Sequence, residues 1–160
     1  MFILIILNVV VTIAYSIMAI VHKKGVPDSL SETSYYWNYK FNPFTFYCIS
    51  VVLLLFLPWL SASPSFHYLA FLSMAGLLAA GSTPMFLNEK FQLYLHWFGG
   101  VSSLIFAVLW MLFNGFWIWV LLSLLLIIIL CFIYSKAWIF WTEIITILCL
   151  CFVLIFYIIV

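Results

Sequence analysis

The chain has 160 residues, 69% of them hydrophobic and 6% charged, with a formal net charge of +1. Soluble domains carry roughly 45–50% apolar and about 25% charged residues, and a globule of this length leaves roughly a third of its chain surface in water. The composition therefore excludes a water-soluble fold, a disordered chain and, with five lysines and no arginine, a basic nucleic-acid face.

A membrane-crossing helix needs roughly 20 mostly apolar residues, range about 17–25. On that measure the sequence predicts an all-α integral membrane bundle of six transmembrane helices, one polytopic domain over 1–160. The first span is 1–21. No basic residue precedes its apolar run and no small-residue cleavage site follows, so it reads as a retained helix. The loop over 22–42 is the most polar stretch of the chain. There Pro27 biases Val26 toward extended backbone, and Ser29-x-x-Glu32 has the spacing of a capping box. A short interfacial helix over about 30–38 is expected, presenting Tyr35, Tyr36, Trp37 and Tyr39 to the headgroups.

The second span is 43–60 and the SASPS turn follows it. The third, 66–83, holds Ser73, Gly76, Gly81 and Ser82, small residues that let neighbouring backbones approach. The fourth, 93–113, carries Gly99, Gly100, Ser102 and Ser103, read as a packing stripe. Asn114–Gly115 turns the chain into the fifth span, 116–134, and the sixth is 137–159. Cys48, Cys131, Cys149 and Cys151 all lie in apolar runs and predict neither disulfides nor a zinc knuckle.

Lys23, Lys24 and Lys40 fall in the first loop, Lys90 in the third and Lys136 in the fifth. Positive charge near span ends stays cytoplasmic, so those loops are expected inside and both termini outside. The acidic residues Asp28, Glu32, Glu89 and Glu143, with His22 and His96, then gather toward the cytoplasmic face.

An ionisable side chain within a span is costly and by default suggests function. Glu143 and His96 are such residues, and they are expected at similar depth. Two readings stand beside each other: a polar site shared by Glu143 and His96, with His22 a further partner, or a Glu143 that desolvation keeps protonated or that reaches Lys136 or the headgroups, and a histidine bonded to a loop carbonyl. The first loop is either a surface cap or a lid closing on that site with Ser29, Ser31, Tyr35 and Tyr36. No metal-binding run, nucleophile elbow or phosphate loop occurs, so neither metal nor cofactor is expected.

Two stretches, GVPDSLSETSYYW and MAGLLAAGSTPMFLNEKFQLYLHWFGG, together resemble a family of small polytopic membrane proteins of Bacteroides-type bacteria and their phages. The matching residues are Pro27, Ser29, Leu30, Ser31, Tyr35 and Tyr36, then Pro84, His96, Trp97 and Gly99; Glu32, Thr33 and Ser34 make the first spacing one residue longer than the family's. The resemblance implies a bacterial inner (cytoplasmic) membrane and no particular activity. A more distant similarity is to alkaline ceramidases and progestin-receptor-like proteins, but the paired histidines of that group's last span are absent here. The leading expectation is a non-enzymatic binding protein acting at the cytoplasmic face on lipids, a protein partner or a second copy. The alternatives are a small proton- or cation-coupled transporter or channel using Glu143 and His96, and a membrane-embedded lipid hydrolase.

Overall fold

The computed structural model describes residues 1–36, 42–62, 65–83 and 86–159. Among them the chain forms α1 (Phe2–Lys23), a 3-10 turn (Ser31–Tyr35), α2 (Pro43–Ala62), α3 (His67–Gly81), α4 (Lys90–Phe113), α5 (Trp117–Ile133) and α6 (Trp138–Ile159). It is an all-α bundle of six helices, with no strand among the described residues. Helices α1, α2, α4 and α6 are long and apolar enough to cross a membrane, whereas α3 and α5 are apolar but shorter. At 1.5 Å per residue those two cover roughly 22 and 26 Å, a little less than the roughly 30 Å hydrocarbon core.

Local chemistry sets the helix ends. Asn42 precedes Pro43, and its Oδ1 accepts the N–H groups of Phe44 and Thr45 at 3.1 and 3.2 Å. This is an asparagine cap with proline in the first helical position, where a missing N–H costs nothing. At the end of α1, Lys24 is left-handed (φ 55°), and Gly25 N–H reaches the Ile20 carbonyl at 3.1 Å. Gly115 at φ 84° turns the chain between α4 and α5, a conformation glycine adopts without a Cβ penalty.

The tightest seam is α3 on α4. A Cβ on Gly76 would lie 2.7 Å from the Gly99 carbonyl oxygen, and one on Gly99 would lie 2.6 Å from the Gly76 oxygen. One turn away, Ser73 donates to the Ser103 carbonyl at 2.7 Å. Gly81 meets Cys48 of α2 in the same way, a Cβ there falling 2.7 Å from Cys48 Cβ, and Thr45 donates to the Gly81 carbonyl at 2.7 Å. Without hydrophobic force between helices in lipid, close backbone approach and interhelical hydrogen bonds hold such seams. The expected packing stripe of α4 therefore divides, because Gly100 meets nothing within 4 Å of an added Cβ.

The first loop joins two other connections at one end of the bundle. The Tyr35 hydroxyl accepts the Leu87 N–H at 2.7 Å, and the Asp28 carbonyl accepts the Phe140 N–H at 3.1 Å. Loops one, three and five thus lie together, as the lysine pattern requires, and at the opposite end Ser61 donates to Met1 Sδ at 2.8 Å. The expected interfacial helix over 30–38 is corrected. Ser31–Tyr35 is a 3-10 turn whose Ser31, Thr33 and Ser34 are buried along with Leu30. The segment enters the bundle because its polar backbone finds partners on α6, which a surface helix would forgo. Trp37, Tyr39, Lys40 and Pro84, which also carried expectations, lie outside the described residues.

Candidate functional site

A polar face of α1 is buried in the bundle, with Asn8 donating to Cys151 Sγ, Thr12 accepting from Tyr47, and Tyr15 meeting the inner end of the first loop. The Tyr15 hydroxyl is hydrogen-bonded to Thr33 Oγ1, which itself donates to the Leu30 carbonyl at 2.7 Å. The Tyr15 ring stacks on Tyr47 of α2 at 4.3 Å. A buried hydroxyl without a partner is costly, so these bonds fix the depth of the turn.

Nearer the mouth, Lys23 Nζ donates to both Glu32 oxygens at 2.8 and 2.9 Å and lies 3.4 Å from Asp28. Glu32 N–H donates to Ser29 Oγ at 3.2 Å, while the Glu32 carboxylate accepts the Asp28 N–H at 2.6 Å. The capping box read from the sequence is present, with its return bond shifted by one residue. Burial opposes ionisation of Glu32, but hydrogen bonds from Lys23, Tyr36 and the Asp28 N–H outweigh it and hold the carboxyl below the usual glutamate range.

At the inner end, Glu143 Oε2 accepts the Leu30 N–H at 2.8 Å. Five residues into α6, it sits roughly 7–8 Å along the helix. Helix α4 begins three residues before its expected start, which places His96 roughly 9 Å along and level with Glu143. His96 Nδ1 lies 3.1 Å from the Ala80 carbonyl and 3.3 Å from Thr83 Oγ1, and Phe86 stacks on the ring at 3.8 Å. A carbonyl only accepts, so Nδ1 carries the hydrogen, and in the neutral ring Nε2 is left as an acceptor.

Glu143 and His96 line one cavity of about 130 Å³, together with Ser29, Ser31, Trp97 and Gly100. A second, of about 60 Å³, shares His96, Gly100, Leu104 and Glu143 with the first and continues inward to Ser103. A third, of about 30 Å³, shares Ser103 and Leu104 with the second and adds Ser73, Thr146 and Trp59. The outer cavity reaches the side of the bundle between α4 and α6, where Trp97 and Val101 line it while remaining about half exposed.

The structure therefore brings together Glu143, His96, Ser29 and Ser31, whereas Asp28 and Glu32 pair with Lys23 and do not line the cavity. The expected roles of His22 and Glu89 are corrected. His22 is exposed and stacks on Tyr36 at 5.8 Å, and Glu89 is exposed and accepts from Gln92 at 3.1 Å. Tyr35 and Tyr36 do not line the cavity; Tyr35 ties the first loop to the third through Leu87. Beside the Ser29 and Ser31 side chains, the first loop's hydrogen bond to Glu143 comes from the Leu30 backbone, which carries no side-chain signal. Thr83, Phe86 and Gly100 were also missed; only the serine and glycine run of α4 pointed toward the last.

Among the described residues no group of three His, Cys, Asp or Glu side chains stands where it could hold a metal ion. Comparison with protein families, curated proteins and solved structures finds no match to the chain.

Proposed function

We propose that this is a multi-pass membrane protein that binds the headgroup of a membrane amphiphile at the end of the bundle carrying the first loop, without chemically altering it. The observation behind this reading is the cavity shared by Glu143 and His96, which is polar at its floor and open through apolar Trp97 and Val101 toward lipid. Ligand sites commonly combine apolar walls with a few convergent polar groups. The positive-inside pattern supports the cytoplasmic side for that end, with both termini outside, and the resemblance supports a bacterial inner membrane.

A photoreactive alkyl amphiphile crosslinked in native membranes tests the reading. Adducts should concentrate at Trp97, Val101 and Ile139 and fall sharply in Gly100→Leu, which fills the cavity. Labelling spread evenly over the lipid-facing helices, and unchanged by Gly100→Leu, would refute the site.

A second reading, proton or cation transport, draws on the inward series of cavities past Ser103, Ser73 and Thr146. Proteoliposomes enclosing a pH dye should then acidify faster with wild-type protein than with Glu143→Gln. A hydrolase would need a nucleophile against the imidazole, and the Ser29 and Ser31 hydroxyls bond each other at 2.9 Å instead.

A further inference from the structure

The hydrogen-bonding groups around the outer cavity are unequally committed. Its nearby donors are used internally: Leu30 N–H on Glu143, Glu32 N–H on Ser29, His96 Nδ1–H on the Ala80 carbonyl. Thr83 Oγ1 lies 3.0 Å from the same Ala80 carbonyl, to which it donates. What the wall keeps for a guest is two strong acceptors, the Glu143 carboxyl and His96 Nε2, beside neutral donors only, one hydroxyl of the Ser29–Ser31 pair and the Trp97 indole N–H. Among the described residues no lysine lines this cavity or the one behind it, and Lys23 is held by Glu32 and Asp28. An anionic headgroup would enter without a counter-charge, a costly arrangement at low dielectric. A cationic donor meets the Glu143 carboxyl and an imidazole acceptor. The volume equals about four waters' share of liquid, enough for a small headgroup, whose chain would leave past Trp97 and Val101.

On the amphiphile-site reading above, we propose that the occupant is a protonated primary amine carried by a membrane amphiphile, with Glu143 as its counter-ion. The test uses purified full-length protein in nanodiscs and reads Trp97 fluorescence as the difference between wild type and Trp97→Phe. Dodecylamine, dodecanoate, dodecyl phosphate and ethylamine are the probes.

Dodecylamine should give a saturable change that Gly100→Leu abolishes and Glu143→Gln weakens by about tenfold or more, as expected for loss of a charge-assisted hydrogen bond. Glutamine still accepts the Leu30 N–H, so this variant keeps the loop docked. Equal or tighter binding of dodecanoate or dodecyl phosphate, still abolished by Gly100→Leu, would overturn the amine assignment and leave the amphiphile site standing. Ethylamine binding as tightly as dodecylamine would overturn the membrane source in favour of a soluble amine. If no probe gives a change sensitive to Gly100→Leu, the amine assignment and the amphiphile site both fall.

Discussion

Leu30 donates its backbone N–H to Glu143 at 2.8 Å across 113 positions of sequence, and this bond fastens the first loop to the last helix. Two residues before Leu30, the Asp28 carbonyl accepts the Phe140 N–H at 3.1 Å, occupying a donor that the first turn of a helix otherwise leaves open. The loop and α6 each satisfy the other's backbone or carboxylate, so docking is reciprocal. The carboxylate that anchors the loop is the one facing the cavity.

Replacing Glu143 by leucine strands the Leu30 N–H in a buried position, a cost of about 1–3 kcal/mol, whereas glutamine retains an acceptor. Trypsin cleavage after Lys23 or Lys24 should accelerate in Glu143→Leu and stay near the wild-type rate in Glu143→Gln. Equal cleavage of the two variants would mean that the bond does not hold the loop.

The two glycines at 99 and 100 should respond oppositely to the same substitution. Gly99→Ala pushes a methyl against the Gly76 carbonyl and should destabilise the bundle by about 1–3 kcal/mol, the usual cost of overpacking. Gly100→Ala enters open space and should leave the thermal midpoint in detergent unchanged or slightly raised.

Thr33 holds two bonds and Tyr15 one of them. Thr33→Val should therefore destabilise the protein more than Tyr15→Phe, each lost hydrogen bond contributing about 0.5–1.5 kcal/mol. Denaturation midpoints of the two variants and their double mutant measure this, and the double should cost less than the sum because the partners are shared.

Glu32 ionises more readily in the folded protein than in the unfolded chain, so the unfolded state binds the proton more tightly. The stabilisation is complete above the ordinary glutamate range, and it is lost as pH falls through the depressed folded value. Protection of the Glu32 and Asp28 amides, their exchange relative to the intrinsic rate at each pH, should fall below that range, and Glu32→Gln should flatten the dependence. An unchanged profile in Glu32→Gln would assign the acid sensitivity elsewhere.

Hydropathy made the helices legible because lipid imposes one criterion on every span, and the alternating lysines correctly grouped the loops at one end. The site was legible only in its side chains. Glu143 and His96 stood out as ionisable groups in apolar runs, but no pattern tied them to Leu30, whose contribution is an N–H that every residue except proline carries. His22 and Glu89 looked equivalent to them because sequence distance from a span end says nothing about which way a side chain faces. One overlooked signal was readable: Asn8, Thr12 and Tyr15 recur at helical spacing in the first span, marking the face that meets Cys151, Tyr47 and the first loop's Thr33 in turn.

Helix α5 buries only Val120 and leans on α6 and, more lightly, on α4. Trp119 packs on Phe152 and Phe156, but most of the remaining side chains are exposed and would meet oil instead of a protein neighbour, so shape complementarity places little demand on them. Leucine, isoleucine, valine and phenylalanine should be interchangeable there, and evolutionary drift in this helix would be bounded by oil solubility alone. The helices around Glu143 have no such freedom.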